Sequence, residues 1–288
     1  MNRIYKKTIF CFILLSLHAA ASAFHVLLET GKVREGSLIK MTISSGVKLK
    51  AANVFFLNKR YPAFFREYSL REREYIYTAY APVPLDTKGV KTVTVKITEA
   101  GSDDTKEKNQ KITVLPLAAE ASVVNTGGQV NKTMLGNLRI ENAMLLKLQD
   151  KITSIKYKTP FIMPVEGVIS STYAKNRVYD SGEVGWRHKG IDIAAKTGTP
   201  VRACANGRVA AAASTKAYGF TVLIDHGGGV YSMYHHNSKL YVKTGDLVSA
   251  GDIIAAVGST GISTGPHLHW QINVFKVPVN PKEFLPNN

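Results

Sequence analysis

Glycine and histidine are concentrated together in the C-terminal part of this 288-residue chain. Residues 159–288 hold 15 of the 23 glycines and six of the eight histidines. The glycines separate short β-type runs, namely Val201–Ala205, Val222–Asp225, Val230–Tyr234, Ile253–Val257 and His267–Val274. Short runs joined by tight turns are typical of an all-β domain. We therefore predict an all-β domain over 159–288 and expect the chemistry to be centred on its histidines.

Composition excludes several classes of protein. Hydrophobic residues make up 45% of the chain, enough to bury real cores, so a globally disordered chain is excluded. The two cysteines, Cys11 and Cys204, are too few for a cysteine-based zinc finger or a disulfide-dense scaffold. At about 150 residues per domain, the length predicts about two domains.

The first 23 residues have the features of a secretory signal peptide. Arg3, Lys6 and Lys7 precede an apolar stretch over 8–20, and Ala21-Ser22-Ala23 is a small-residue cleavage site. We expect cleavage near Ala23 and export to the periplasm or the cell surface, with an uncleaved signal anchor as the alternative. Cys11 leaves with this peptide, so we expect no internal disulfide in the exported chain.

The strong positive charge predicts an anionic partner. The whole chain has a formal net charge of +16, which falls to +13 when the three basic residues of the signal peptide are removed. Such a charge attracts polyanions. In an exported protein we expect anionic envelope polymers rather than nucleic acid, while the oligomeric state is left open.

Residues 24–115 are predicted to form a β-sandwich of immunoglobulin type. Short strand-like runs alternate with turn residues, and the polar run 101–110 reads as a turn. The predicted strands are Leu38–Ile43, Asn53–Leu57, Glu74–Ala79, Val90–Ile97 and Lys111–Val114. The aromatic residues of this region are assigned mainly to packing, with a binding face as the alternative; they are Tyr61, Phe64, Phe65, Tyr75 and Tyr77.

Residues 116–158 are predicted to be a linker followed by a helix. The stretch 117–131 is small and polar, whereas apolar residues from Met134 to Ile155 recur at helical spacing. We expect one amphipathic helix over roughly 137–155, packed between the two domains. A helix that binds a partner is the alternative.

Two histidine clusters have the residue types of a metal site. The first is His188-Lys189-Gly190-Ile191-Asp192, and the second ends in His267-Leu268-His269. In a strand, His267 and His269 face the same way with Cα atoms ~6.6 Å apart. His188 and Asp192 would be ~13 Å apart in a straight strand, and we expect Gly190 to permit the bend that joins them. Two imidazoles and one carboxylate suit a catalytic zinc ion, which keeps a fourth position open for water.

The other histidines are given smaller roles. His226 lies in a predicted hairpin turn and is assigned to local structure. His235 and His236 are adjacent, so in a strand they face opposite ways and only one can point at the site. His25 lies near the predicted mature N-terminus.

The C-terminal region resembles the lysostaphin/LytM-type zinc endopeptidases that cut peptidoglycan peptides. The resemblance covers essentially all of 160–288, in the right order and spacing. It runs through His188–Ala195, Gly198–Val201, Ala205–Val209, Ile224–Gly227, Tyr234–Ser238, Val257–Gly261 and Ser263–His269. It implies a duplicated hybrid motif-like β fold, which is also similar to a phosphocarrier domain, a role that export argues against. Residues 24–158 match the front half of such proteins in general architecture only.

The resemblance also implies roles for individual residues. His188, Asp192 and His269 match the zinc ligands, one ion per chain, while His236 and His267 match the two catalytic histidines and His235 fills a variable position. The departures from the family pattern are minor: Cys204 stands where a small residue is usual and Asn237 where Leu is frequent. Since no ligand is missing, the resemblance favours an active enzyme over the degenerate members that only activate other proteins.

The implied activity is zinc-dependent hydrolysis of peptide cross-links or stems in peptidoglycan, with cell-wall remodelling as the role. Which bond is cut, and which histidine is the general base, are left open. One alternative is a non-catalytic wall-binding protein that controls another hydrolase. Another is a latent enzyme whose residues 24–158 cover the cleft. Because every implied ligand lies in 159–288, we expect the chemistry to need nothing upstream.

Overall fold

A computed structural model of the chain describes residues 24–118, 120–125, 130–155, 157, 160–180, 182 and 186–286. The predicted signal peptide lies outside these residues and stays a prediction. In the described part of the chain, no helix combines the length and the apolarity needed to cross a membrane.

The front part of the chain folds into two packed β-sheets. Its strands in chain order are β1 His25–Leu28, β2 Lys32–Arg34, β3 Leu38–Ser45, β4 Leu49–Phe56, β5 Lys59–Pro62, β6 Phe64–Ser69, β7 Glu74–Pro82, β8 Gly89–Glu99 and β9 Thr105–Leu115. One sheet has the order β1-β3-β7-β6 and the other β2-β9-β8-β4-β5. Strands β1, β3, β7 and β6 correspond to A, B, E and D of an immunoglobulin domain, and β4, β8 and β9 to C, F and G. The predicted immunoglobulin-type sandwich is confirmed.

The sandwich core comes from alternate residues of the long strands. Ile39, Met41 and Ile43 of β3 are buried together with Val93 and Val95 of β8, as strand alternation requires. All five predicted strands are present, but the prediction missed β1, β2, β5 and β6. It was also wrong for Thr105–Gln110, which belongs to β9. That polar segment pairs with β8 along its whole length, so backbone hydrogen bonds rather than apolar side chains define the strand.

The predicted aromatic cluster divides between core and surface. Tyr61 and Tyr77 are buried in the sandwich. Phe65 is 55% exposed and lies with its ring centroid 5.6 Å from that of Tyr77 and 6.4 Å from that of Tyr75. Packing therefore accounts for the two buried tyrosines, whereas Phe65 is mostly on the surface.

The segment between the two halves contains a strand and a shorter helix than predicted. Strand β10, Ala121–Val124, pairs in parallel with residues 176–179, although the composition had indicated a linker. Helix α1 spans Lys132–Lys147, so the predicted range 137–155 was wrong at both ends. It begins where the Asn131 side chain accepts a hydrogen bond from the Met134 N–H, an N-cap.

Helix α1 ends at Lys147, and from Lys151 onward the chain bonds to the hairpin of β16 and β17 instead of continuing the helix. The Thr153 carbonyl accepts the Gly228 N–H, and the Thr153 hydroxyl donates to Asp225. The helix lies on the C-terminal sheet, where Leu145 packs with Leu223, Tyr231 and Met233. The prediction that the helix packs between the two halves was therefore wrong.

The C-terminal part is built almost entirely from strands. They are β11 Val168–Ser171, β12 Asn176–Tyr179, β13 Ile191–Ala194, β14 Pro200–Arg202, β15 Gly207–Thr215, β16 Gly219–Gly227, β17 Val230–Asn237, β18 Lys239–Leu240, β19 Leu247–Val248, β20 Ile253–Ala256, β21 His267–Val274 and β22 Val277–Val279, followed by a 3-10 helix at Pro281–Phe284. The main sheet has the order β11-β13-β21-β17-β16-β15-β19, with β22 paired to β21, and a small sheet has the order β14-β20-β18. The predicted all-β fold is confirmed, and β21 has the predicted bounds.

The two faces of the main sheet have different roles. Leu268, Trp270, Ile191 and Ile193 point to one face and form the domain core. Asp192 and His269 alternate with them and therefore point to the other face. Helix α1 covers one end of this second face. The part that it leaves uncovered carries the histidines.

The sandwich docks directly on the C-terminal domain. The Gly36 carbonyl accepts the N–H of Asn280, and the rings of Tyr61 and Phe275 lie 5.2 Å apart. Gly36 has φ +77° and lies so close to the Tyr173 ring that an added Cβ would be 2.3 Å from Cε1. A side chain at position 36 would therefore separate the two halves.

Candidate metal centre and cleft

The structure brings His188, Asp192 and His269 together on the uncovered face of the main sheet. The Oδ1 atom of Asp192 lies 3.0 Å from His188 Nε2 and 2.8 Å from His269 Nδ1, and the two nitrogens are 3.0 Å apart. All three side chains are buried. One described group of this kind could hold a metal ion, and it is the predicted ligand set.

Strand pairing explains how these residues meet. Asp192 in β13 is directly opposite His269 in β21, so their side chains share a face. His188 precedes β13 and approaches from the side. Gly190 lies at a bend, as expected, and the structure adds a second reason for glycine at this position. An added Cβ would lie 2.3 Å from the Trp270 carbonyl oxygen and 2.9 Å from His269 Nε2.

Hydrogen bonds to residues outside the donor set fix the orientation of His188 and Asp192. His188 Nδ1 donates to the carbonyl of Thr172 at 2.8 Å, which leaves the Nε2 lone pair for a metal. The second oxygen of Asp192 accepts a hydrogen bond from Arg177 Nη2 at 2.6 Å. Both arrangements are of the type that orients metal ligands.

Burial and pairing set the protonation states in the site. Burial lowers the pKa of His188 to about 4, although Asp192 acts against it. Burial alone would raise the pKa of Asp192, but its close contacts with the imidazoles of His188 and His269 hold that pKa well below its usual range. Near pH 7 His188 is therefore neutral and Asp192 is ionised, which are the forms of these side chains that bind metals.

The donor set suits a tetrahedral divalent ion. Zinc binds imidazole nitrogen at ~2.0–2.1 Å and carboxylate oxygen at ~2.0–2.2 Å. Three donor atoms 2.8–3.0 Å apart can share one such ion with small movements of the side chains. The buried nitrogen and oxygen donors therefore fit zinc.

His236 and His267 lie beside the three donors, as the resemblance implied. Their ring centroids are 4.9 Å apart, and His267 Nε2 is 3.9 Å from Asp192 Oδ1. His236 Nδ1 donates to the Thr260 carbonyl and His267 Nδ1 to the Gly265 carbonyl, each at 2.8 Å. These bonds leave the Nε2 atom of each ring available in the cleft. Burial lowers the pKa of His236 to about 3 and also lowers that of His267.

The prediction that His235 faces away from the site was wrong. His235 is opposite His269 in the strand register, and their ring centroids are 5.5 Å apart. The ring is buried, stacks on Tyr218 at 4.3 Å, and bonds through Nδ1 to the Thr221 hydroxyl at 2.9 Å. His235 thus packs beside His269 on the same face of the sheet.

Tyr218 and Glu141 also belong to the surroundings of the site, although no sequence pattern indicated them. Tyr218 lines the cleft with His236 and His269. Glu141 of helix α1 accepts hydrogen bonds from the N–H groups of Lys216, Ala217 and Tyr218 at 2.8–3.3 Å. A lone Glu on a predicted helix gave no signal for this contact, because the turn that it binds is 75 residues away.

The cleft extends to both sides of the metal centre. On one side is a cavity of about 490 Å³ lined by Asp192, His267 and residues of the 262–266 loop. Val123 and Asn125, at the end of β10, form part of its wall. On the other side the wall includes Leu138 of helix α1, Trp186 and Lys189. The end of β10 therefore lines the cleft on one side and helix α1 lines it on the other.

The remaining histidines lie away from the donors. His226 bonds to the carbonyl of Asn206 and the hydroxyl of Ser232, as expected for a structural residue. His25 is exposed in β1 and pairs with Ser44. Neither lies among the cleft residues described above.

Comparison with known proteins agrees with this geometry. The model of peptidase family M23 matches residues 186–281. The DD-carboxypeptidase/endopeptidase Mpg of Neisseria meningitidis serogroup B is 47% identical over 97 residues, 33% of this chain and 22% of that protein. The murein hydrolase activator EnvC of Escherichia coli K12 is 38% identical over 122 residues, 42% of this chain and 28% of that protein. The matched segments span 22 to 33% of the length of the first curated relatives.

A solved structure shares the whole fold. The putative peptidase M23 from Pseudomonas aeruginosa superposes with a TM-score of 0.63 and 24% identity, covering 90% of this chain and 96% of that one. This likeness shows the fold of both halves. Together, the family match and the fold show that the chain carries a domain of peptidase family M23, the LytM/lysostaphin type. This domain follows the immunoglobulin-type sandwich in the chain.

Proposed function

We propose that this protein is an exported zinc endopeptidase that hydrolyses peptide cross-links or stems of peptidoglycan. The observation that carries the proposal is the convergence of His188, Asp192 and His269, whose donor atoms lie within 3.0 Å of one another. His236 and His267 stand beside them in an open cleft. Two relatives are named for murein or DD-peptidase functions, which supports peptidoglycan as the substrate class.

The residues of the cleft have distinct tasks in such a reaction. His188, Asp192 and His269 would hold zinc, which supplies a Lewis acid and lowers the pKa of water. His236 and His267 are neutral near pH 7 because burial lowers their pKa values. With Nδ1 fixed by a carbonyl, each presents Nε2 to accept a proton from water or deliver one to the leaving amine.

The cellular setting is part of the proposal. The signal-like N-terminus supports export, and the high positive charge supports attraction to anionic envelope polymers rather than to nucleic acid. Salt screens this attraction at distances beyond ~8–10 Å, so it should depend on ionic strength.

Digestion of purified peptidoglycan tests the activity. Sacculi of known chemistry are incubated with the wild-type chain, with His267→Ala and with no protein, and the fragments are analysed by mass spectrometry. The proposal expects new amino and carboxyl ends within the peptides for the wild type only. Cleavage of glycan bonds, or cleavage equal to that of His267→Ala, would contradict it.

A second candidate is a regulator of another wall hydrolase. The 38% identity with a protein named as a murein hydrolase activator favours it. The same sacculi incubated with a purified amidase, with and without this protein, separate the two functions. A regulator raises amidase products and makes no peptide cleavage of its own, whereas the proposed enzyme cleaves peptides without the amidase.

A further inference from the structure

Arg187, the residue directly before the proposed ligand His188, is held by a carboxylate from the other half of the molecule. Its Nη1 atom lies 2.9 Å from Glu35 Oε2 and its Nη2 atom lies 3.2 Å from Glu35 Oε1, so the two side chains form a bidentate salt bridge. Glu35 belongs to the turn after β2 of the sandwich, and its side chain is 4% exposed. Two-bond arginine–carboxylate pairs are strong and directional, so the sandwich fixes the position of Arg187.

Glu35 is itself fixed by the sandwich and by the segment that follows it. Its Oε1 atom accepts the Leu117 N–H at 2.8 Å, and Oε2 accepts the Asp86 N–H. A buried carboxylate with this many donors has little freedom to move. It therefore acts as a rigid anchor.

Arg187 connects Glu35 to residues 172–175, the segment that is hydrogen-bonded to His188. Its Nε atom donates to the carbonyl of Ala174 at 3.1 Å. The N–H of Ala174 donates to the His188 carbonyl at 2.8 Å, and the His188 N–H donates to the Lys175 carbonyl at 2.7 Å. The carbonyl of Thr172, two residues before Ala174, accepts the hydrogen bond from His188 Nδ1.

A second contact from the sandwich reaches the same segment. Gly36 packs against the ring of Tyr173, whose hydroxyl donates to the Pro278 carbonyl at 2.9 Å. Segment 172–175 thus contacts Gly36 of the sandwich directly and Glu35 through Arg187, and it is also hydrogen-bonded to His188. The family match begins at residue 186, so this support lies outside the matched domain.

We propose that Glu35 is a positioning residue of the metal centre, which acts through Arg187 to hold His188 in its ligating orientation. This inference rests on the proposed function, because it takes His188 as a zinc ligand. It makes the immunoglobulin-type sandwich a part of the site rather than a separate module.

Zinc affinity of the full chain tests the proposal without any use of peptidase activity. Dissociation constants for Zn²⁺ are measured by competition with a chromophoric chelator for the wild type, Glu35→Gln and Asp86→Asn. Glu35→Gln keeps the shape of the side chain but loses the charge and one acceptor. Loss of a group that orients a metal ligand typically weakens binding by about 10–100-fold. We expect roughly tenfold weaker binding, since Glu35 acts through one intermediate residue.

Asp86→Asn is the matched control. The Asp86 carboxylate also contacts Arg187, at 3.1 Å, but is 83% exposed. Exposed ion pairs contribute little, so its zinc affinity should stay within twofold of the wild type. Thermal unfolding of each metal-free protein identifies variants that are not folded. Should Glu35→Gln not fold, Arg187→Lys replaces it, because lysine keeps the charge but cannot bridge Glu35 and Ala174.

The visible spectrum of bound Co²⁺ gives a second measurement that loss of stability alone would not change. We expect the bands of the folded Glu35→Gln protein to shift in energy or intensity relative to wild type, and those of Asp86→Asn to match it. A folded Glu35→Gln with wild-type zinc affinity and cobalt spectrum would overturn the positioning role and leave the proposed function standing. A wild-type chain that binds neither metal would contradict both.

Discussion

His235 and His236 are consecutive in β17, yet both rings lie close to the ring of His269, with centroids 5.5 and 6.2 Å away. Side chains normally alternate along a strand. His236 breaks the alternation with φ +64°, a left-handed conformation uncommon outside glycine. Its N–H donates to the Tyr218 carbonyl at 2.9 Å, which holds this conformation. Strand β17 therefore supplies both His236, which lines the cleft, and His235, which packs against His269.

His236→Ala and His267→Ala should keep zinc but lose activity. Neither side chain belongs to the three-donor set, so each variant should bind one zinc per chain. Loss of a general acid–base group typically costs 10²–10⁴-fold in rate. Zinc content and the rate of cleavage of a soluble peptidoglycan peptide are measured on the same samples. His188→Ala is the control that should lose zinc as well. Full activity in both variants would contradict the assignment.

His235→Ala should impair the protein, contrary to the expectation from strand alternation. The change leaves a space between Tyr218 and His269 and removes the bond to Thr221. We expect a loss of about 1–3 kcal/mol in the free energy of unfolding and reduced activity. Urea unfolding and peptide cleavage give the two values. His235→Phe, which keeps a ring in place, should retain more activity, and His25→Ala, on the surface, should match wild type. An unaffected His235→Ala would show that the contact with His269 has no role.

Glu141→Gln should loosen the wall of the cleft. The carboxylate binds three successive N–H groups at Lys216–Tyr218, and charge-assisted bonds of this kind contribute about 1.5–3 kcal/mol each. We expect faster amide hydrogen exchange at 216–218 and a lower kcat/KM with unchanged zinc affinity. Arg139→Gln, on the exposed side of the same helix, is the control. Exchange rates equal to those of wild type would contradict the role of Glu141.

Sequence patterns predicted the metal donors but not the groups that hold them. The two histidine clusters indicated a metal site by their residue types and by the alternation that places His267 and His269 on one face, and the family resemblance implied that His188, Asp192 and His269 are its ligands. Glu35 and Glu141 act on residues 152 and 75 positions away. Such contacts form when whole elements pack against each other, and a single glutamate in the sequence does not predict them.

The same difference between local patterns and long-range contacts explains the wrong bounds predicted for β9 and helix α1. Strand β9 was cut short because Thr105–Gln110 is polar, although its backbone pairs fully with β8. Helix α1 was extended too far because Ile152 and Ile155 continue the helical spacing, whereas the Thr153 carbonyl between them accepts the N–H of Gly228 in the hairpin. The expectation that the chemistry of residues 159–288 needs nothing upstream stays a prediction, although Glu35 and Glu141 lie outside that range and bond to Arg187 and Lys216 near the candidate site.

Cys204 should be unreactive in the folded protein. Its side chain is fully buried, and burial raises the pKa of the thiol to about 11. At pH 8 the thiol is therefore protonated and inaccessible, and the thiolate is the reactive form. In a chain that begins at Phe24, a chromogenic disulfide reagent should label it only after denaturant is added. Rapid labelling of the native protein would contradict the packing around Cys204.

Zinc titration of peptide hydrolysis is the most direct test of the central claim that His188, Asp192 and His269 form the zinc centre of a peptidase. Metal-free protein at a fixed concentration receives increasing amounts of zinc, and the initial rate of cleavage of a soluble cross-linked peptidoglycan peptide is recorded at each step. We predict no cleavage without zinc, a rise that levels off at one equivalent per chain, and no cleavage at any zinc level for His188→Ala. Hydrolysis by the metal-free protein, or none by the wild type at any zinc concentration, would contradict it.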